Sequence, residues 1–176
     1  MNETKTNIAL IGMPGSGKST VGVLLAKASG RDFVDTDLLI QSRAGATLQT
    51  IVDENGYEAL REVEEQVLLS LQLSNHVIAT GGSVVYSEPG MAHLKTSSVV
   101  VFLDVSLETV RERIGDYSLR GISKRPDQTI EDLFDPIDSS PYRLDGWDEG
   151  RDGGSGGRSD PHRTAASEPD SDDDER

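Results

Sequence analysis

Nine consecutive residues near the start of the chain combine the groups that phosphate chemistry requires. They fit the pattern G-x-x-x-x-G-K-[ST] and read Gly12-Met13-Pro14-Gly15-Ser16-Gly17-Lys18-Ser19-Thr20. The glycines allow backbone angles that a Cβ would forbid, so successive N–H groups can point at phosphate oxygens. Lys18 adds a positive charge for the β- and γ-phosphates, and Ser19 offers a hydroxyl to Mg²⁺. This stretch therefore predicts a nucleotide-phosphate site.

An acidic pair, Asp35 and Asp37, flanks Thr36. We predict a short strand over 31–37, in which alternate side chains would point to the same side. One acid could then orient Mg²⁺, and the other could hold a substrate hydroxyl and accept its proton. The alternative is a helix N-terminus, where acidic side chains favour the helix dipole.

Arg61 precedes Glu64 by three residues in a segment with helical spacing. The plain interpretation is a surface ion pair worth well under about 1 kcal/mol. The functional interpretation is that Glu64 holds Arg61, whose planar fork then grips a carboxylate.

The elements that must position these residues alternate between strands and helices. The first strand is predicted over 8–11, and the helix over 20–29 has Val21, Leu24, Leu25 and Ala28 on its apolar face. Further helices are predicted over 38–44, from 47 to a break at Gly56, and over 57–73, 88–94, 106–113 and 130–134. Strands are predicted over 77–80 and 98–104, and a polar loop over 115–128. Such alternation predicts an α/β fold with a parallel sheet, whose ligands bind beyond the carboxyl ends of the strands. The phosphate loop, the acidic pair and the turn at Gly81-Gly82-Ser83 all fall at those ends.

Composition narrows the class of protein. The 176 residues carry a formal net charge of −14, which argues against a nucleic-acid surface. There is no cysteine, and no run approaches the roughly 20 apolar residues that a membrane-spanning helix needs. We therefore expect a cytoplasmic protein with no membrane or nucleic-acid partner.

The last part of the chain differs from the rest. From Asp145 onward eleven acidic and four basic residues account for half of the net charge, and apolar residues are few. We predict a P-loop domain over 1–144, which the resemblance described next implies to be a small-molecule kinase domain, and an acidic, Gly/Ser-rich disordered tail over 145–176.

Taken together, these residues resemble the shikimate kinase family over about residues 6–134. The resemblance lies in the order and spacing of the phosphate loop, Asp35-Thr36-Asp37, Leu60-Arg61-Glu62-Val63-Glu64, Thr80-Gly81-Gly82-Ser83, Arg113 and Arg120-Gly121-Ile122. It implies a three-layer P-loop kinase fold of the nucleoside-monophosphate-kinase type, a small-molecule substrate, and transfer of the ATP γ-phosphate to the 3-hydroxyl of shikimate. We expect a monomer.

On the nucleotide side the resemblance implies ATP and Mg²⁺. The ATP phosphates would be bound by Gly15, Ser16, Gly17, Lys18, Ser19 and Thr20. Lys18 would contact the transferring group, and Ser19 would ligate Mg²⁺ with Asp35 behind it through water. Arg113 would stack on adenine. Arg120, in a mobile lid, would reach the phosphates during transfer, with Arg125 as the second candidate for that role.

On the acceptor side the resemblance implies four residues. Asp37 would bind the substrate hydroxyls and act as the base, and Arg61 would bind the shikimate carboxylate. Gly81 and Gly82 would let backbone amides approach the substrate.

The sequence departs from the family in two places. The third glycine of the family's turn is Ser83 here, which still offers an N–H. The family has an arginine before a Pro-Leu-Tyr motif, then a final strand and helix. This chain has Asp138-Ser139-Ser140-Pro141-Tyr142-Arg143, so the final strand is predicted to be missing. The alternatives are another P-loop small-molecule kinase, such as a gluconate kinase, and an ATP-binding relative that does not catalyse.

Overall fold

Short apolar runs alternate with longer stretches of helical spacing, and the structure follows that alternation. The computed structural model describes residues 5–114, 122 and 129, all of which lie in the unit Met1–Arg143. Its elements are β1 (Asn7–Ile11), α1 (Lys18–Ser29), β2 (Asp32–Asp35), α2 (Thr36–Ala44), α3 (Leu48–Leu69), β3 (His76–Ala79), a one-turn 3₁₀ helix (Val84–Tyr86), α4 (Glu88–Ser97), β4 (Ser98–Phe102) and α5 (Leu107–Ile114).

The four described strands form one parallel sheet in the order β2-β3-β1-β4. Ile8 of β1 pairs with Val77 of β3 on one side and with Val99 of β4 on the other. Because all the strands run the same way, their carboxyl ends, and the loops that follow them, meet at one edge of the sheet.

Alternate residues of the central strand β1 face opposite sides of the sheet. Ala9 and Ile11 pack in a buried cluster with Leu68 and Leu94 from α3 and α4. Leu10 packs on the other side in a cluster that includes Ala26 of α1. The sheet is therefore covered by helices on both faces, which confirms the predicted three-layer α/β architecture.

Two helix boundaries illustrate what local sequence determines. Gly56 interrupts α3 with φ 86° and ψ 167°, which confirms the predicted break. The helix ends at Leu69, earlier than the predicted Leu73. Ser70 is the C-cap residue: its N–H makes the last helical bond, to the Gln66 carbonyl at 3.1 Å, and its hydroxyl donates to the Val67 carbonyl at 2.7 Å.

The predicted apolar face of α1 is wrong for three of its four residues, since only Leu25 packs against the cluster that contains Ala26. Val21 and Leu24 are 40% and 63% exposed, whereas Gly22 and Ala26 are buried. A Cβ on Gly22 would lie only 2.6 Å from Cε2 of Phe33. The helix turns its small residues toward the sheet because only they fit this close contact.

Several predictions fall outside the described residues: the loop over 115–128, the helix over 130–134, the missing final strand and the tail over 145–176. They stay predictions, as does the boundary between 144 and 145. Among the described residues, the helices are all too short or too polar to traverse a lipid bilayer.

Candidate active site

A cavity of about 740 Å³ opens at the carboxyl edge of the sheet. The three features that the sequence places at this edge all contribute to its wall. Its lining residues are Pro14, Gly15, Gly17, Lys18, Ser19, Thr20, Asp37, Gln41, Thr47, Leu48, Gln49, Glu64, Thr80, Gly82, Arg113 and Ile122. The phosphate loop, the second acid of the pair and the glycine turn therefore share one site.

The loop between β1 and α1 has the backbone that its glycines predict. Gly12, Gly15 and Gly17 have φ of 144°, 79° and 97°, a region that side chains disfavour. Lys18 Nζ donates to the Gly12 and Met13 carbonyls at 2.8 and 2.9 Å, which curls the loop around the lysine. Burial lowers the pKa of Lys18 to about 8, although nearby Asp37, Asp35 and Glu64 oppose the shift.

The acidic pair spans the junction between a strand and a helix, with Asp35 as the last residue of β2 and Asp37 in the first turn of α2. β2 ends at Asp35, and Thr36 begins α2, so the prediction of a strand through Asp37 is wrong. Asp35 caps the helix by accepting the Asp37 N–H at 2.9 Å, because a carboxylate satisfies a donor that lacks an intrahelical partner. The cap leaves the Asp37 side chain in the cavity wall.

The surroundings of Asp37 change the acidity of its carboxyl group. Its Oδ1 is buried and has no hydrogen-bond partner among the described residues. Burial raises the pKa of Asp37 to about 6, with a further rise from Asp35 and an opposing effect from Lys18. A carboxyl with this pKa accepts a proton readily near neutral pH.

Glu64 brings a second carboxyl to the same point. It is buried on α3, and its Oε2 lacks a hydrogen-bond partner within the described part of the chain. A Cβ on Gly81 would lie 3.0 Å from both Glu64 Cδ and Asp37 Oδ1, so the two carboxyls converge on this glycine. Burial raises the pKa of Glu64 to about 8, with Asp37 adding to the rise and Arg61 and Lys18 opposing it.

Arg61 lies one turn before Glu64 on α3, next to the cavity but not among its lining residues. Its guanidinium carbon is 4.5 Å from the centre of the Tyr86 ring and 5.2 Å from that of Tyr57. The arginine is half-buried, and its charge opposes the rise in the pKa of Glu64. That Glu64 holds Arg61 for a carboxylate stays a prediction.

The turn after β3 contains glycines because a Cβ at these positions would collide with neighbouring atoms. The Gly81 N–H donates to Thr36 Oγ1 at 3.0 Å, so this amide is engaged with the protein. Gly82 lines the cavity, and a Cβ there would lie 2.6 Å from Pro14 Cγ. Ser83 has φ −94°, an ordinary value for any residue, which explains why a serine fits where the resembled family has a third glycine.

Arg113 lies over the phosphate loop. Its Nη1 donates to the Ser16 carbonyl at 3.1 Å, and its side chain lines the cavity. Arg120 and Arg125 fall outside the described residues, although Ile122 between them contributes to the cavity wall.

The sequence did not single out part of the wall. Gln41, Thr47, Leu48 and Gln49 line the cavity from α2 and the start of α3. Gln41 could have been found, since it follows Asp37 by four residues and therefore lies on the same face of α2. The other three arrive through the packing of α3 against α2, which no local pattern reveals.

Comparisons with known proteins show the family to which this sequence is similar. A family model described as shikimate kinase matches residues 14–138. A shikimate kinase of Sulfurihydrogenibium sp. is 38% identical over 139 residues, covering 78% of this chain and 83% of its own. One from Synechococcus sp. is 44% identical over 110 residues, covering 62% of this chain and 56% of the relative.

Solved structures agree as well. A shikimate kinase from Acinetobacter baumannii, in complex with shikimate, superposes with a TM-score of 0.64 at 33% identity, over 77% of this chain and 76% of that one. The enzyme from Aquifex aeolicus superposes equally well, at 36% identity over 76% and 80% of the two chains. Most of the phosphate loop, the capped acidic pair and the packed glycine turn fall within residues 14–138, which the family model matches, and the chain belongs to the shikimate kinase family.

Proposed function

We propose that this chain transfers the γ-phosphate of ATP to the 3-hydroxyl of shikimate. The observation that carries the proposal is that the phosphate loop and the buried carboxyl of Asp37 line the same cavity. The related kinase from Acinetobacter baumannii, solved with shikimate, supports the choice of acceptor.

ATP would lie along the loop, with its phosphates against the backbone N–H groups from Gly15 to Thr20. Lys18 would contact the transferring group, and Arg113 would stack on adenine beside the loop. The Ser19 hydroxyl and the Asp35 carboxylate are oxygen donors, which fits a hard cation such as Mg²⁺. When bound, Mg²⁺ would neutralise part of the phosphate charge.

The acceptor would lie between Asp37 and the glycine turn. Asp37 would take the proton of the 3-hydroxyl. The hydroxyl oxygen would at the same time bond to the γ-phosphorus, and the bond between the γ-phosphorus and the β-phosphate oxygen would break, releasing ADP. Arg61 would hold the substrate carboxylate, and the Gly82 amide would contact the substrate because the Gly81 amide is engaged with Thr36. An arginine of the lid, Arg120 or Arg125, would stabilise the charge of the transition state.

The test is to measure ADP formation with shikimate, gluconate and nucleoside monophosphates as acceptors. We expect turnover with shikimate, and a loss of at least about a hundredfold in Lys18→Ala, because removing one transition-state donor costs that much. Lys27→Ala, an exposed lysine on the same helix, is the matched control and should keep native activity. Turnover with gluconate but not shikimate would overturn the proposal, and ATP binding without turnover would indicate a non-catalytic relative.

We also propose that the protein is a cytoplasmic monomer. The lack of cysteine fits a reducing compartment. Light scattering tests whether the protein is a monomer, and fractionation of the source cells tests whether it is cytoplasmic.

A further inference from the structure

Two aromatic rings lie against the guanidinium of Arg61. Its Cζ is 4.5 Å from the centre of the Tyr86 ring and 5.2 Å from that of Tyr57. Both distances are within the roughly 6 Å over which a cation is attracted to a ring face. Neither tyrosine belongs to the sequence motifs that carry the proposed function.

The two rings come from different elements. Tyr57 precedes Arg61 by one turn of α3, immediately after the break at Gly56. Tyr86 ends the 3₁₀ helix that directly follows the Gly81–Ser83 turn. The arginine is therefore held by its own helix and also by the segment whose backbone borders the acceptor side of the cavity.

We propose that Tyr57 and Tyr86 are positioning residues that hold the Arg61 guanidinium ready for the carboxylate of the acceptor, which rests on the proposed function. A ring contacts the face of a guanidinium, whereas a carboxylate binds its N–H edge, so the two contacts are compatible. All three side chains are half-buried, which strengthens the attraction relative to a contact in open water.

Preorganisation matters because an arginine that moves freely loses conformational freedom when it binds a ligand. A guanidinium already held against two rings has lost part of that freedom before the acceptor arrives.

The experiment compares Tyr86→Leu, which removes the ring, with Tyr86→Phe, which keeps it. We expect Tyr86→Leu to raise the KM for shikimate about fivefold to thirtyfold, the ratio that corresponds to one partly buried cation–π contact. The kcat and the KM for ATP should change less than about twofold, because the contact affects acceptor binding and not the phosphoryl transfer. Tyr86→Phe should behave as the native chain.

Tyr57 is tested in the same way. Tyr57→Leu should raise the KM for shikimate by a smaller factor, since its ring lies farther from the guanidinium. Tyr57→Phe removes the hydroxyl that donates to Glu58 at 3.0 Å and keeps the ring, so it should have little effect.

To separate positioning of Arg61 from a merely structural role, Tyr86→Leu is repeated in an Arg61→Ala background. The readout is kcat/KM at low shikimate concentration, which can be measured even when the enzyme is weak. The two effects should not add, and Tyr86→Leu should then cost less than about twofold. An equal loss in both backgrounds, or Tyr86→Phe as impaired as Tyr86→Leu, would overturn the inference while leaving the function intact. No phosphate transfer to shikimate by the native chain would instead overturn the proposed function, and this inference with it.

Discussion

Burial sets the protonation of the residues around the cavity. Desolvation is the largest cause of the altered pKa in Asp37, Glu64 and Lys18, and it brings all three to between about 6 and about 8. Each group therefore titrates close to neutral pH, far from its value in water. A ligand that changes the local charge will change their protonation.

The pH dependence of catalysis should report Asp37. Its pKa of about 6 means that the carboxylate that accepts the proton is lost as the pH falls through that value. We expect kcat/KM for shikimate to fall about tenfold per pH unit below about pH 6. A pH profile with ADP quantified directly checks this, and a profile that stays flat down to about pH 5 would exclude Asp37 as the base.

Stability should depend on the protonation of Glu64. Its pKa is about 8 in the folded chain against 4.5 in the unfolded one, so the folded state binds the proton more tightly. The stability associated with the protonated form is complete below the unfolded pKa and is lost as the pH rises through about 8.

The variant Glu64→Gln should not show this loss. We measure the difference in melting temperature between the variant and the native chain at two pH values. We expect this difference to be about 5 °C or more in favour of the variant at about pH 8, compared with its value at about pH 5. Glu62→Gln, an exposed position on the same helix, is the control and should show no such difference. An equal offset at both pH values would contradict the buried, protonated state of Glu64.

At the scale of elements, the glycine turn and the phosphate loop are packed directly against each other. A Cβ on Gly82 would lie 2.6 and 2.8 Å from Cγ and Cδ of Pro14 and 3.2 Å from its backbone nitrogen. Neither a proline ring nor the backbone can rotate away, so the loop itself would have to move. A side chain at position 82 would therefore displace the phosphate loop.

Gly82→Ala should therefore impair both sides of the reaction. We expect kcat/KM to fall at least about tenfold for ATP and for shikimate alike, because small misplacements of reacting groups are costly. Ser83→Ala, in the same turn at a position that already carries a Cβ, is the control. A loss confined to shikimate would argue against coupling through Pro14.

At the scale of the whole molecule, the predicted boundary after residue 144 is open to a direct test. A chain ending at residue 144 loses half of the formal net charge of −14 but only a few apolar residues. We expect it to keep the activity of the full chain, with a melting temperature within about 3 °C, because a polar tail contributes little burial. A large loss of activity or stability would show that residues 145–176 belong to the folded unit.

The sequence by itself determined the backbone of the phosphate loop, because the glycines that shape a loop act on their own residues and their neighbours. The run from Gly12 to Thr20 specifies a curled backbone through its glycines, and Gly56 specifies the break in α3 through its left-handed φ. The position of the three polar features at strand ends followed from alternation alone, because parallel strands bring their carboxyl ends together.

Only the tertiary structure decided which side chains are buried and what they touch. Gly22 and not Leu24 faces the sheet, because Phe33, eleven residues later in β2, occupies the space. Glu64 is protonated near neutral pH because Asp37 and the turn after β3 close over it, and Tyr86 reaches Arg61 only through the same packing. These contacts join residues far apart in the chain, so the physics that governs them, desolvation and steric fit, has no local signature in the sequence.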